Sequence, residues 1–323
     1  MTAEEEPILT DLPTPGERLR IAVIGAGTIG CSWATLFLHR GHDVALWDPA
    51  PDAVERFHRF RERAAADLGQ ILPAAAESGR VSFPGDPAAA CEGADLAQES
   101  APERLDLKQA LYARMEEGLP DGAVVASSTS GLRMSELQRG RRRPERFAVG
   151  HPFNPPHLIP LVEVVGGDAT SPATLDRLVA FYANLGKRPI RLAKEVPGHL
   201  ANRLQAALWR EAVHAVASGL ASVEDVDAAI AYGPGLRWAI MGPNLTLHLA
   251  GGEGGMEHFL EHLAEPMQAW WDDLGDPRLT PEVRHALVEG VEAETAGRSP
   301  AELARLRDAR LLQLLALPPS GLP

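Results

Sequence analysis

The run Arg20–Asp48, RIAVIGAGTIGCSWATLFLHRGHDVALWD, leaves the chain few ways to fold. Arg20–Ile24 is apolar and β-branched, reads as a strand, and passes directly into GAGTIG. Gly25, Gly27 and Gly30 permit a tight turn and a close approach of backbone to a bulky anion. Ile29, Trp33, Leu36 and Phe37 then recur at helical spacing until Gly41, and Asp43–Trp47 reads as a second strand finishing at Asp48. A bare GxGxxG is a weak signal. Here it has a strand before it, a helix and second strand after it, and an acid 18 residues beyond the last glycine. The pattern predicts a dinucleotide site. Thr28 and Ile29 open the helix whose N-terminus attracts the pyrophosphate. Asp48 would accept from the adenosine ribose hydroxyls and repel a 2′-phosphate, which favours NAD over NADP.

Beyond this unit the chain keeps alternating. Residues 50–79 read as one or two amphipathic helices, and Val81–Phe83, Ala94–Glu99 and Ala123–Ser127 as strands, with a helix over Leu105–Glu117. A further helix, Ser171–Leu185, and a strand, Arg188–Leu192, follow. Alternation of this kind predicts an α/β, Rossmann-type, doubly wound parallel sheet. After Val196-Pro197-Gly198 only helical patterns remain: His199–Leu220, Val223–Ala231, Asn244–Ala250, Glu257–Trp271, Pro281–Ala293 and Pro300–Leu317. The expected organisation is a flexible arm (residues 1–18), a Rossmann domain (19–195), an all-α C-terminal domain (196–317) and a frayed tail (318–323).

A second stretch, Gly150–Val165, carries chemistry. Phe147–Val149 and Leu161–Val165 read as strands separated by a Pro-rich turn, with His151 ending the first and Glu163 inside the second. A carboxylate flanked by Leu and Val cannot be left dry and unpaired, and the nearest candidate partner is the imidazole twelve residues earlier. A histidine held by a carboxylate has the fixed tautomer that a general base for an alcohol proton requires. The alternative, an exposed Glu163 and a His151 that merely ends a strand, stays open on these two residues alone.

Composition excludes several classes. A length of 323 residues suits two domains. A formal net charge of −13, from 31 basic and 44 acidic residues, argues against nucleic acid or an anionic membrane as partner. The basic segment Arg139–Phe147 lacks aromatic interleaving and reads as a solvated loop. Cys31 and Cys91 are the only cysteines, so neither a disulfide framework nor a thiolate metal site is expected. The start is acidic and Pro-interrupted, unlike a signal peptide, and no apolar run is long enough to cross a bilayer; the expected location is the cytoplasm.

Five motifs in order, GAGTIG with Asp48, ESAPERLDLK, ASSTSGL, GHPFNPP–LVEV and VPGHLANR, resemble the 3-hydroxyacyl-CoA dehydrogenase family over nearly the whole chain. The resemblance implies a Rossmann domain, then a helical domain that forms a homodimer and closes over a small-molecule substrate. It implies NAD-dependent oxidation of a secondary alcohol, with His151 as base, Glu163 as its orienting partner, Ser130 on the substrate oxygen and Asn202 as a fourth polar group. Glu103 and Lys108 match the family's loop near the nicotinamide ribose. One departure concerns substrate. The acyl-CoA enzymes carry a longer, lysine-rich helical hairpin where Pro51–Arg80 has no lysine and arginines interleaved with acids. Tyr232–Pro243 and His248–Phe259 are similar instead to the carnitine 3-dehydrogenase branch and, more distantly, to lambda-crystallin, an L-gulonate dehydrogenase. That branch implies a 3-hydroxy acid bearing a cation, for which Phe153, Tyr232 and Trp238 are candidate aromatic contacts, with Arg237 a candidate for the substrate carboxylate or for an inter-subunit salt bridge. A 3-hydroxyacyl-CoA, L-gulonate, and a catalytically idle NAD-binding role are the alternatives.

Overall fold

In a computed structural model of the protein, the described residues are Thr14 and 16–317. The expected tail, and all but a few residues of the expected arm, lie outside them. The chain divides into two compact units, Met1–Asn202 and Arg203–Pro323.

The first unit is built on eight strands: β1 (Arg20–Ile24), β2 (Asp43–Trp47), β3 (Val81–Ser82), β4 (Leu96–Glu99), β5 (Val124–Ser127), β6 (Phe147–Pro152), β7 (Leu161–Gly166) and β8 (Arg188–Arg191). They lie in the order β3-β2-β1-β4-β5-β6-β7-β8. Six helices accompany them: α1 (Thr28–His39), α2 (Ala53–Ile71), α3 (Pro87–Cys91), α4 (Leu105–Met115), α5 (Met134–Leu137) and α6 (Pro172–Asn184). The short α3 and α5 have no counterpart in the sequence reading, because so few residues show no period. Of the 50–79 segment only Ala53–Ile71 is helical, as the single helix α2, whose buried Ala53, Phe57, Ala64 and Leu68 make one stripe.

Both faces of the sheet are covered, as buried parallel strands require. Ile21 and Val23 of β1 point into one core with Trp33, Phe37, Phe57 and Phe181, while Ala22 and Ile24 point into the other with Cys91, Tyr112 and Leu137. Trp33 stacks on Phe37 at 5.4 Å and meets Tyr182 at 5.5 Å, fixing α1 and α6 against the same face.

The sheet departs from the expected all-parallel pattern at one place: β7 runs antiparallel to β6. The eight residues between them are too few for a crossover helix, so the chain turns back on itself. The two strands pair with His151 directly opposite Glu163.

The sequence reading placed the domain break near residue 195, whereas the compact units part after Asn202. Residues 196–202 stay with the sheet because the Leu200 and Ala201 amides donate to Glu163, each at 2.9 Å. The second unit continues α7 (Ala201–Ala217) with α8 (Val223–Ala231), α9 (Pro234–Trp238), α10 (Pro243–Ala250), α11 (Gly255–Asp273), α12 (Pro281–Thr295) and α13 (Pro300–Leu315). Ser222, Thr280 and Ser299 cap α8, α12 and α13 through their hydroxyls. No strand occurs among its described residues, and none of the described helices is long and apolar enough to cross a membrane.

The β6–β7 turn is held from below. Lys187 is buried, and its ammonium donates to the carbonyls of Pro156 and Ile159 (3.1 Å for the latter). Burial without a carboxylate pushes its pKa down from 10.5 to about 7. Between those values the unfolded chain binds the extra proton, so this residue makes stability rise with pH from about 7 to 10.5. Urea unfolding at pH 7, 8, 9 and 10 should show that rise in the wild type and a flatter profile in Lys187→Met.

Candidate active site

β1 is flanked by β2 on one side and β4 on the other, so the crevice at the carboxyl ends of β1 and β4 is the switch point of the sheet. The glycine turn opens there. Gly25 has φ +103°, and a Cβ on Gly30 would stand 1.8 Å from the Gly25 carbonyl oxygen, so α1 can approach the turn only with glycine at 30. A Cβ on Gly27 would meet nothing within 4 Å; its bare backbone faces open space. No side chain caps α1 at Gly27. Beyond the turn lies a cavity of about 810 Å³ lined by Trp47, Asp48, Arg56, Ser100, Leu107 and Leu111, among others. An open glycine cradle, an uncapped helix N-terminus and an acid at the end of β2 fit the adenosine and pyrophosphate of a dinucleotide. Asp48 is fixed by accepting from the Ala26 amide at 2.7 Å and the Ala50 amide at 2.9 Å.

His151 and Glu163 touch. Nδ1 of His151 lies 2.8 Å from Oε2 of Glu163, whose carboxylate is fully buried. Oε1 accepts from the Leu200 and Ala201 amides. Burial pushes the Glu163 carboxyl up, but the bonds from His151 and the two amides outweigh it and hold its pKa below the usual 4.5. An ionised Glu163 accepts from Nδ1–H, which leaves the Nε2 lone pair of His151 as the basic site.

The remaining polar groups approach through contacts with one another. Asn202 Nδ2 donates to the Ser130 carbonyl at 3.2 Å, and Ser130 is exposed. Glu103 accepts from Thr129 Oγ1 at 2.6 Å and from the Ser130 and Gly131 amides at 3.0 Å each. Burial raises the Glu103 pKa, yet these bonds and the Lys108 charge bring it below the usual carboxylate value. Lys108 is buried, and its ammonium donates to Glu99 at 2.6 Å and to the Ala101 carbonyl at 3.0 Å. Its ammonium also stands 3.8 Å from the Glu103 carboxylate.

Phe153 lies beside His151, ring centroids 5.4 Å apart. Tyr232, Arg237 and Trp238 belong to the second unit, where Tyr232 caps α8 at 82% exposure and the other two lie on α9 with exposed side chains. Phe259, also in the branch-like motifs, is buried. Among the described residues no group of three or more His, Cys, Asp or Glu side chains is placed to hold a metal ion.

Two residues of the site went unread in the sequence. His199, counted there as the start of a helix, has φ +51° and precedes α7; its Nε2 meets the Thr129 carbonyl at 3.1 Å and its ring lies 5.2 Å from that of His151. The Gly198 before it was the available signal of a turn. Glu99 sits fully buried at the end of β4, accepting from Lys108, Tyr112, Ser127 and the Ala101 amide.

Residues 20–196 match the NAD binding domain of 3-hydroxyacyl-CoA dehydrogenase, and residues 198–283 match its C-terminal domain. The chain is 48% identical to an L-carnitine dehydrogenase of Streptomyces griseus subsp. griseus, over 98% of this chain and 96% of the relative. It is 47% identical to an L-carnitine dehydrogenase of Bacillus cereus, over 92% of each. Among solved structures, 5-formyl-3-hydroxy-2-methylpyridine 4-carboxylic acid 5-dehydrogenase, described as an NAD+-dependent dismutase, is 30% identical with a TM-score of 0.80, covering 93% of this chain and 97% of its own. An NAD-binding oxidoreductase cradle and a two-part match spanning both units have one reading: the chain belongs to the 3-hydroxyacyl-CoA dehydrogenase family.

Proposed function

We propose that this protein oxidises the 3-hydroxyl of L-carnitine to the 3-oxo compound with NAD as acceptor. The observation that carries the chemistry is the 2.8 Å contact between His151 and a buried, ionised Glu163. In this reading Nε2 of His151 takes the hydroxyl proton as the C3–H bond breaks. NAD, when bound, accepts the hydride. Glu163 stabilises the imidazolium that forms and keeps the ring from turning, since both its oxygens are already engaged. Ser130 and Asn202 stabilise the oxygen as its charge changes. Phe153, beside His151, offers an aromatic face to a trimethylammonium group, a contact worth about 0.5–2 kcal/mol. Tyr232, Arg237 and Trp238 are further candidates, to be tested by substitution.

The substrate rests on the carnitine-dehydrogenase relatives and on what α2 lacks. It carries no lysine, and its Arg56 is tied to Asp52 at 2.9 Å, which disfavours a CoA phosphate grip there. A panel of L-carnitine, L-gulonate, 3-hydroxybutyrate and 3-hydroxybutyryl-CoA, each with NAD and followed by NADH absorbance, should give its highest kcat/KM with L-carnitine. Preference for the CoA ester would overturn the substrate. Tight NADH binding with no turnover on any of the four would point to the catalytically idle role.

His151→Ala should bind NADH as the wild type does and lose about 100- to 10,000-fold in kcat. Glu163→Gln turns an amide NH2 toward the Leu200 and Ala201 amides or toward Nδ1–H, leaving donors facing donors, and should cost about 1–3 kcal/mol in urea unfolding as well as turnover. Because the Glu163 pKa is lowered in the fold, its contribution is full above about 4.5 and fades as pH falls through the lowered value. Wild-type stability should therefore fall more steeply below pH 4.5 than that of Glu163→Gln.

A homodimer through the helical unit completes the reading. Leu204, Trp209, Leu236, Ile240, Trp270 and Trp271 are exposed there, more apolar surface than an isolated unit keeps in water. Light scattering should give twice the chain mass, and Trp270→Glu with Trp271→Glu should shift it toward monomer if those faces are the contact.

A further inference from the structure

The charge arrangement at the adenosine end of the cleft goes beyond a single selective acid. Arg56, one turn into α2, reaches back over the glycine turn: Nε donates to the Ala26 carbonyl at 2.9 Å. Its Nη1 lies 2.9 and 3.0 Å from the two carboxylate oxygens of Asp52, and its Nη2 lies 3.5 Å from Oδ1 of Asp48. Arg56 lines the same cavity as Asp48, Gly25 and Gly27, and its side chain is one-third exposed. A guanidinium at this place is what a 2′-phosphate needs, since arginine binds phosphate with paired, directional donors. Yet two carboxylates stand against this one cation, so an entering phosphate meets net negative charge. Asp48 is locked into place by backbone amides, whereas Asp52 has one visible task. It occupies the N-cap position of α2 but accepts no bond from the helix amides; its carboxylate holds Arg56.

We propose that Asp52, by clamping Arg56, sets the choice between NAD and NADP together with Asp48: released from Asp52, Arg56 takes the 2′-phosphate. The inference rests on the dinucleotide reading of the cleft and concerns only its adenosine end. It makes the cofactor preference a property of three side chains, and it makes Arg56 a latent phosphate ligand kept neutralised by its own helix.

Titration calorimetry with NAD+ and NADP+, checked by quenching of intrinsic tryptophan fluorescence, tests it without turnover. In Asp52→Asn the ratio of the two dissociation constants, NADP+ over NAD+, should fall about tenfold, as expected for removing one charge beside a partly exposed phosphate site. Adding Arg56→Gln should restore the wild-type ratio. An unchanged ratio in Asp52→Asn overturns the proposal. So does a ratio that falls equally in the double variant, because loss of negative charge alone would then account for it. Asp52→Ser gives the same readings if the Asn variant fails to fold. Failure of the wild type to bind either nucleotide would instead remove the dinucleotide reading on which the proposal stands.

Discussion

The carboxylate of Glu163 is the group on which the site's geometry depends. An isolated buried carboxylate costs several kcal/mol, and it is tolerated here because three donors converge on it from two directions. His151 comes from the neighbouring strand and the Leu200 and Ala201 amides from the start of α7. Satisfying one charge therefore joins β6, β7 and the N-terminus of a helix at a point. The reversal of β7 brings the pair together, since an antiparallel partner joined by a short turn sets residue 163 directly across from residue 151.

A second buried carboxylate, Glu99, does the same on the other side of the crevice. Lys108, Tyr112, Ser127 and the Ala101 amide all donate to it, and its neighbourhood drives the Tyr112 hydroxyl well above its ordinary pKa, by burial first and by the Glu99 charge second. This network fixes the loop after β4, so that Glu103 can hold the amides of Ser130 and Gly131 after β5. The two loops that face the cleft are thus pinned by ionic groups placed beneath them, and the polar tips above are left to meet ligands. Rigid support below and open groups above is the arrangement that precise positioning of a reacting oxygen needs.

Much of this was legible in the chain. The βαβ unit announced itself through glycine spacing and a terminal acid, and all eight strands overlap segments read as strands, because regular elements repeat a short-range pattern. His151 and Glu163 were legible because a charge inside an apolar run demands a partner. Lys108 was legible only as a motif match to the loop near the nicotinamide ribose; that Glu99 lies beneath it shows only in the folded chain. Arg56 was hidden similarly among interleaved arginines and acids, where composition gives an average and geometry gives a particular pairing. His199 escaped because the helical pattern after it is strong and its own departure from that pattern is a single dihedral angle.

That dihedral shows how the segment leading into α7 is tied to Glu163. Gly198 and His199 have consecutive positive φ values, +74° and +51°. Glycine adopts this region freely, while a residue with a Cβ is strained there by about 1–3 kcal/mol. The strain is local and the return is not. Turning the backbone twice in succession aims the next two amides, Leu200 and Ala201, at Glu163 and lays the His199 ring beside His151, with its Nε2 on the Thr129 carbonyl. Burial lowers the His199 pKa, outweighing the bond to the Thr129 carbonyl, which raises it, and the neighbouring His151 lowers it further. A straight entry into α7 would relieve the strain but leave Oε1 of Glu163 without its amides, and a buried carboxylate so deprived would take up a proton and cease to orient the imidazole.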